Sequence, residues 1–268
     1  MKKNKICCSL NFAPHYREEI FLRMEKDLDC DFFFGDKTYG AINKIDYSKF
    51  DKKVEELVFT KVFKQFYFLK GQTRLSLANY SHYIITGQPF NLSAWGLLIL
   101  NRLKGKKTFI WNHGWYGNES FLKKTLKKIQ LKLATGYFLY GTYAKSLMEK
   151  EGFDSNKLHV VYNSLAYTEQ LKIRNQIKKS TLYREHFKNN NPTLLFIGRL
   201  TKMKKLHLLL DAMQLANKEG CYFNLVLIGE GAEKKSLEGV VEKFNLKQNT
   251  WFYGSCYKET KIGDLIYN

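Results

Sequence analysis

Short apolar runs alternate with longer stretches of helical period along almost the whole chain, and that alternation admits few folds. An apolar run bounded by turn residues suits a buried strand. Apolar residues at i, i+3, i+4 and i+7 suit a helix laid on a sheet. Strands are predicted at KICCSL, CDFFF, HYIIT, KTFIW, GYFLY and LHVVY, then at TLLFI, FNLVLI and TWFY. Between the last three, Leu206, Leu209, Leu210 and Met213 repeat with helical spacing, as do Leu237, Val240, Val241 and Phe244. Each segment therefore carries one apolar stripe, and Gly220 falls where the first of them would end. The pattern predicts an α/β fold with mainly parallel sheets wrapped by helices.

Apolar content thins between residues 168 and 191, which end in KNNN before Pro192, a residue that discourages a continuing helix. The expected division is an N-terminal domain at 1–167, an interdomain linker at 168–191 and a C-terminal domain at 192–268. The last supplies three strands where a doubly wound nucleotide-binding domain has five or six, so it is expected to be incomplete at its C-terminal side.

At 268 residues, 44% hydrophobic and 15% aromatic, the chain has the composition of a folded protein. The net charge is +19, of which +16 lies in residues 1–190 and +3 in the remainder. Such a field attracts phosphates, nucleic acid or an anionic membrane leaflet. The basic residues are spread over many elements, with no helix-turn-helix or RNA-recognition pattern, so nucleic acid is not the expected partner. Five cysteines without metal-ligand spacing fit a reducing, cytoplasmic setting. In the opening MKKNKICCSLNFAPHYREE the apolar run is short and interrupted by Asn11, so it reads as a first strand rather than a signal peptide. No apolar run approaches the roughly 20 residues of a membrane span.

Three stretches carry candidate chemistry. In LLFIGRLTKMKK a strand ends at Gly198, and Arg199 and Lys204 follow at the carboxyl edge of the sheet, where ligands of open α/β folds bind. The planar fork of Arg199, the point charge of Lys204 and a helix N-terminus together suit a diphosphate. A solvated basic loop is the plainer reading, since Lys202 and Lys205 stand beside them. In LVLIGEGAEKKSLE, Gly229 and Gly231 repeat the grammar of strand, glycine turn and helix. Lys234 stands where a dinucleotide fingerprint has its third glycine, so that fingerprint is not met. In FIWNHGWYGNES, His113 follows a strand beside Trp111 and Trp115, as a proton carrier or as a structural histidine in a turn. Elsewhere, ESFLKKTLKKIQLKL sets Leu122, Leu126, Ile129 and Leu133 on one helical face with lysines around the rest. That describes a helix packed on the sheet, or one docked on anionic headgroups.

FIGRLTKMKKLHLLLDA, NLVLIGEGAEKKSLE and NTWFYGSCYKE, in that order, resemble the nucleotide-sugar-binding domain of the family 4 (group 1) glycosyltransferases. Upstream, YFLYGTYAKSLMEKEGFDSNKLHVVYNSL is similar to the segment that ends that family's N-terminal domain. The resemblance implies a GT-B architecture of two Rossmann-like domains, with donor in the second, acceptor in the first and chemistry in the cleft. It implies that Arg199 and Lys204 hold the donor diphosphate in place of a metal ion, with no cofactor. Gly198, Gly229 and Gly231 would let the backbone approach the nucleotide, and His113 would lie near the reacting sugar. Asn163 maps to the interdomain loop. Many members carry a glycine pair after the first strand where this chain reads NFAPHYREE, leaving His15, Arg17 or both to face the cleft. The family's E-x7-E element lies beyond residue 268. Asp29 and Asp31 form a D-x-D, which binds metal-diphosphate in the other common transferase fold, but here it precedes its strand and reads as a helix end and a strand start.

The implied function is retaining transfer of a sugar from a nucleotide-sugar donor to a cell-envelope or exported glycan, or to its lipid-linked acceptor. The enzyme would be cytoplasmic and peripheral at the inner face of the membrane. The alternatives are a catalytically incomplete glycosyltransferase fragment and a basic nucleic-acid-binding protein.

Overall fold

A computed structural model describes residues 5–37, 42–117, 119–163 and 166–268. The chain divides into two units, Met1–Ala166 and Tyr167–Asn268. In the first, chain order runs β1 (Ile6–Leu10), α1 (Glu18–Leu28), β2 (Cys30–Gly35), β3 (Val54–Leu57), β4 (Phe59–Phe63), β5 (Phe66–Leu69) and β6 (His82–Ile85). It continues through α2 (Leu92–Leu103), β7 (Lys107–Asn112), α3 (Phe121–Lys132), β8 (Gly136–Leu139), α4 (Thr142–Lys150) and β9 (Leu158–Val160). Seven strands form one parallel sheet in the order β3-β2-β1-β6-β7-β8-β9, and β4 pairs antiparallel with β5 in a separate hairpin.

The inner strands are mostly apolar because both faces of a parallel sheet are covered, while the edge strand β3 exposes Glu55 and Glu56. Side chains alternate between the faces: Cys7, Phe33, Tyr83 and Ile85 enter the core beneath α2 and α3, while Cys8, Phe32, Phe34 and Ile84 enter the one that holds Phe21 of α1. Phe32, Phe33 and Phe34 are fully buried, each burial contributing about 1.5–3 kcal/mol. Asp29 ends α1 in the left-handed region and pairs with Lys52, while Asp31 lies buried in β2 against Lys5 and Tyr80. The D-x-D thus divides between a helix end and a strand, each half already paired. The cysteines are free thiols, with Cys7, Cys8 and Cys30 buried.

The apolar face expected on α3 is turned. Lys127, Gln130 and Leu131 point inward, Leu126 and Leu133 are half-buried, and Ile129 is half exposed; the side chain of Leu122 lies outside the described residues. Lys127 can face inward because a carboxylate and two aromatic rings receive it, as described below. The chain leaves β1 for β2 and β3 on one side and returns at β6 on the other. The sheet therefore changes winding direction between β1 and β6, which opens a crevice at their carboxyl ends.

The second unit contains α5 (Tyr167–Gln176), α6 (Leu182–Phe187), β10 (Thr193–Ile197), α7 (Leu206–Lys218), β11 (Asn224–Ile228), α8 (Lys234–Lys243), β12 (Thr250–Gly254) and α9 (Glu259–Tyr267). Its sheet is parallel in the order β10-β11-β12, with central β11 buried along its whole length. The stripes read from the sequence pack as expected. Leu206, Leu210 and Met213 of α7 and Leu237 and Val241 of α8 share one core with Leu225 and Leu227, and Gly220 follows α7 at φ +77°. Residues 168–191, read as a linker, instead fold largely as α5 and α6 within this unit. α5 packs on α9, and Tyr183 of α6 donates to the Leu265 carbonyl. Among the described residues no helix is long and apolar enough to cross a membrane.

Candidate functional site

The crevice between β1 and β6 is a cavity of about 440 Å³, within the range of small-molecule sites. Residues at or just past the ends of β1, β6, β7 and β8 build its walls: Asn11, Thr86, Trp111 to Gly114, and Tyr140. Asn112 shapes the loop after β7. Its amide donates to the Gly87 carbonyl at 2.9 Å, and its oxygen accepts from Gly114 N at 2.8 Å. His113 is thereby presented at the cavity, edge-on to Tyr140 with ring centroids 4.5 Å apart, and 5.9 Å from Tyr116. Burial lowers its pKa below the ordinary value, and the positive charges of Arg17 and Lys127 act in the same direction. The imidazole is neutral near pH 7 and can accept a proton.

Arg17 ends the short 3-10 turn His15–Arg17 that leads into α1. Its guanidinium carbon stands 5.1 Å from the Trp111 ring centroid and 5.0 Å from that of Tyr140, and it donates to Asn163 Oδ1. His15 does not line the cavity; its Nδ1 lies 3.2 Å from the Asn43 carbonyl. Of the two residues left open by the sequence, Arg17 is the one at the cavity, and Asn163 reaches it through the Arg17 bond.

An ion pair that sequence reasoning missed backs this wall, its lysine lining the cavity and its carboxylate behind. Lys127 donates to Glu119 at 2.7 Å, and its ammonium lies 5.1 Å from the Trp115 centroid and 4.9 Å from that of Tyr116. Glu119 also accepts from the backbone amides of Tyr116 and Gly117, each at 3.0 Å. Burial raises the Glu119 pKa, but the Lys127 bond and the amides outweigh it and leave the carboxyl low. The pair fastens the loop that carries His113. Tyr140 was missed as well, although its place one residue past a predicted strand, at the ligand-binding edge, is a signal that could have found it.

In the second unit, the loops after β10 and β11 interlock through their backbones. Gly198 N donates to Ile228 O at 2.9 Å, Leu200 N to Glu230 O at 3.0 Å, and Glu233 N to Leu200 O at 3.1 Å. A Cβ on Gly229 would lie 2.0 Å from the Gly198 carbonyl oxygen, and one on Gly231 2.1 Å from that of Leu200. The close approach these two glycines permit is therefore between loops. Arg199 and Lys204 are exposed, and neither side chain has a hydrogen bond or ion pair among the described residues. The nearby Glu230 carboxylate is taken by Lys234 at 2.9 Å. Lys204 closes a 3-10 turn just ahead of α7, whose N-terminus has no side-chain cap. The hollows of about 1010 and 660 Å³ in this unit are lined by other residues, so Arg199 and Lys204 stand on an open edge. Among the described residues no group of three or more His, Cys, Asp or Glu could hold a metal ion.

Residues 178–266, about a third of the chain, match the family described as glycosyl transferases group 1. The second unit belongs to that family. No curated protein matches the sequence. Among solved structures, the apo form of the lipopolysaccharide outer core galactosyltransferase WaaB is similar with a TM-score of 0.61 and 15% identity, over 96% of this chain and 70% of that one. Anabaena Alr3699/HepE in complex with UDP gives 0.66 and 15%, over 98% and 71%. UDP-GlcNAc 2-epimerase from Methanocaldococcus jannaschii gives 0.59 and 14%, over 97% and 76%. At these identities the likeness is one of fold, the GT-B type, which transferases and an epimerase share. The family match covers the second unit and is what separates glycosyl transfer from the epimerase likeness there.

Proposed function

We propose that the chain transfers a sugar from a nucleotide-sugar donor to a glycan acceptor, with retention of anomeric configuration. The observation that carries this reading is the pair of unneutralised cations Arg199 and Lys204, between β10 and α7 of a group 1 glycosyl transferase domain. Glycosyl transfer builds negative charge on the departing diphosphate. Two fixed cations and an uncapped helix N-terminus offset it, which lowers the barrier because that charge is larger in the transition state than in the bound donor. The Anabaena neighbour, seen with UDP and with UDP-glucose, supports a nucleotide-sugar donor. Retention rests on the resemblance of the motifs to the family. In this reading the acceptor occupies the first unit's cavity, where neutral His113 takes a hydrogen bond or the proton of the attacking hydroxyl.

The acceptor we favour is a cell-envelope or exported glycan, reached by a cytoplasmic enzyme at the inner membrane face. The charge of residues 1–190 supports this. The contribution of α3 is smaller than its lysine count, because Lys124 and Lys128 pair with Glu151 and Lys127 with Glu119, leaving Lys123 and Lys132 outward. The exposed Val62 and Phe63 on the β4–β5 hairpin, beside Lys61 and Lys64, add an apolar tip.

The deciding experiment titrates the full chain, and its Arg199→Ala and Lys204→Ala variants, with UDP, GDP and ADP, then assays UDP-sugars for transfer and for epimerisation. Binding of one diphosphate, weakened about 10²-fold or more in each variant, is expected. Absence of binding to all three would sink the reading, and C2 epimerisation of the donor would replace it.

A further inference from the structure

The cavity of the first unit has a charge imbalance that sugar transfer does not itself require. Three cationic side chains line it, Arg17, Lys123 and Lys127, and no carboxylate does. Glu119 takes the charge of Lys127 from behind the wall. Arg17 and Lys123 have no carboxylate partner among the described residues. The Arg17 guanidinium rests near the rings of Trp111 and Tyr140 and bonds the neutral amide oxygen of Asn163. Such contacts orient a guanidinium without cancelling its charge, and its five N–H donors outnumber its two neutral acceptors, Asn163 Oδ1 and the Tyr140 hydroxyl. Two more groups of the same wall are unsatisfied: the Trp111 indole Nε1 and Asn11 Oδ1 are buried without a hydrogen-bond partner. A desolvated donor or acceptor costs about 1–3 kcal/mol while it stays unmet, so the wall behind the cavity is polar as well as cationic.

We propose that this cavity selects an acceptor bearing an anionic group, a carboxylate or a phosphate, which Arg17 grips while the aromatic walls hold the sugar ring. The inference rests on the transfer reading only in naming the occupant an acceptor. The anion preference itself rests on the cavity. The planar guanidinium meets two oxygens of a carboxylate or phosphate at once, whereas the exposed Lys123 adds a point charge at the mouth. Phe90, Tyr116 and Tyr140 supply apolar faces for the ring's C–H surface, so a neutral sugar would fit the walls and leave the guanidinium unmet.

The test is calorimetric titration of the full chain with glucose, glucuronate, glucose 6-phosphate and inorganic phosphate, with UDP titrated in parallel. Glucuronate or glucose 6-phosphate is expected to bind at least tenfold tighter than glucose, and the better of the two identifies the group as carboxylate or phosphate. Arg17→Gln should remove that advantage, Arg17→Lys should restore part of it, and UDP affinity should stay unchanged. Equal binding of the three sugars overturns the proposal, as does an advantage that survives Arg17→Gln. Inorganic phosphate binding as tightly as the phosphorylated sugar, or a UDP affinity that falls with Arg17→Gln, overturns it too. Should Arg17→Gln fail to fold, Lys123→Gln and salt titration of the parent chain read the same preference, which must weaken in both. Absence of UDP binding by the parent chain with the preference intact would overturn the transfer reading and keep the anion site.

Discussion

Lys127 and Glu119 form an ion pair almost wholly out of solvent, with side-chain exposures of 6% and 2%. Neither partner can be removed without stranding the other in a poorly solvated site, and Glu119 also holds two backbone amides. Glu119→Ala is expected to destabilise the first unit by about 3–5 kcal/mol, the scale of an uncompensated buried charge. Replacing both, Lys127→Met with Glu119→Gln, should cost less than Glu119→Ala alone, because no unpaired charge remains. Urea unfolding of the three chains measures the order. The low carboxyl pKa also fixes a pH dependence. Unfolded Glu binds its proton at about pH 4.3, so the pair's stabilisation is present above that value and is lost as pH falls through the lower folded value.

His113 should titrate below the ordinary histidine range, since burial, Arg17 and Lys127 all disfavour its cation. The sign for stability follows. As pH drops below about 6.5 the unfolded imidazole is protonated first, so the folded first unit loses stability until the folded pKa is reached. Arg17→Gln removes one of the causes and should move the His113 titration upward, as followed by its ring-proton NMR signals. An unchanged titration would show that Arg17 does not act on this imidazole.

Most of the sheet was legible in the sequence because parallel strands are continuous apolar runs, and nine of them stood out. The three that were missed are informative. Val54–Leu57 reads VEEL, and the exposed Glu55 and Glu56 of this edge strand hide its apolar ends, while Phe59–Leu69 belongs to a small hairpin outside the main sheet. The turned face of α3 was invisible because the pattern ranks lysine as outward, and only the folded shape of the loop just upstream brings Glu119, Trp115 and Tyr116 round to receive it. Arg17, Trp111 and Tyr140 lie far apart in the chain and meet only through sheet order. The second unit was easier, since Arg199, Gly229 and Gly231 sit in local loops whose spacing is itself the signal.

If Arg199 and Lys204 supply the charge compensation, a divalent ion is not needed for donor binding. Excess EDTA should leave the affinity for the nucleoside diphosphate within about twofold, while Arg199→Lys should lose much of it, because a point charge cannot replace the guanidinium fork. A tenfold loss on chelation, restored by magnesium or manganese, would assign the role to a metal.

Gly229 and Gly231 give the most direct link between backbone packing and the donor edge. A methyl group at either position would press on a carbonyl oxygen of the neighbouring loop, at 2.0 Å from Gly198 O and 2.1 Å from Leu200 O. Backbone atoms cannot step aside as a flexible side chain can, and Gly229 is also held at φ +143°. Gly229→Ala and Gly231→Ala should therefore each cost about 1–3 kcal/mol, the usual scale of overpacking. Because the displaced loop is the one that carries Arg199, they should weaken diphosphate binding even where the second unit stays folded. Gly239 is the control. It lies within α8 with open space around its Cβ position, so Gly239→Ala should stabilise by about 0.5–1 kcal/mol through the unfolded chain's lost freedom, with diphosphate binding unchanged. If Gly231→Ala binds UDP as tightly as the parent chain, the position of Arg199 does not depend on the interlocked loops.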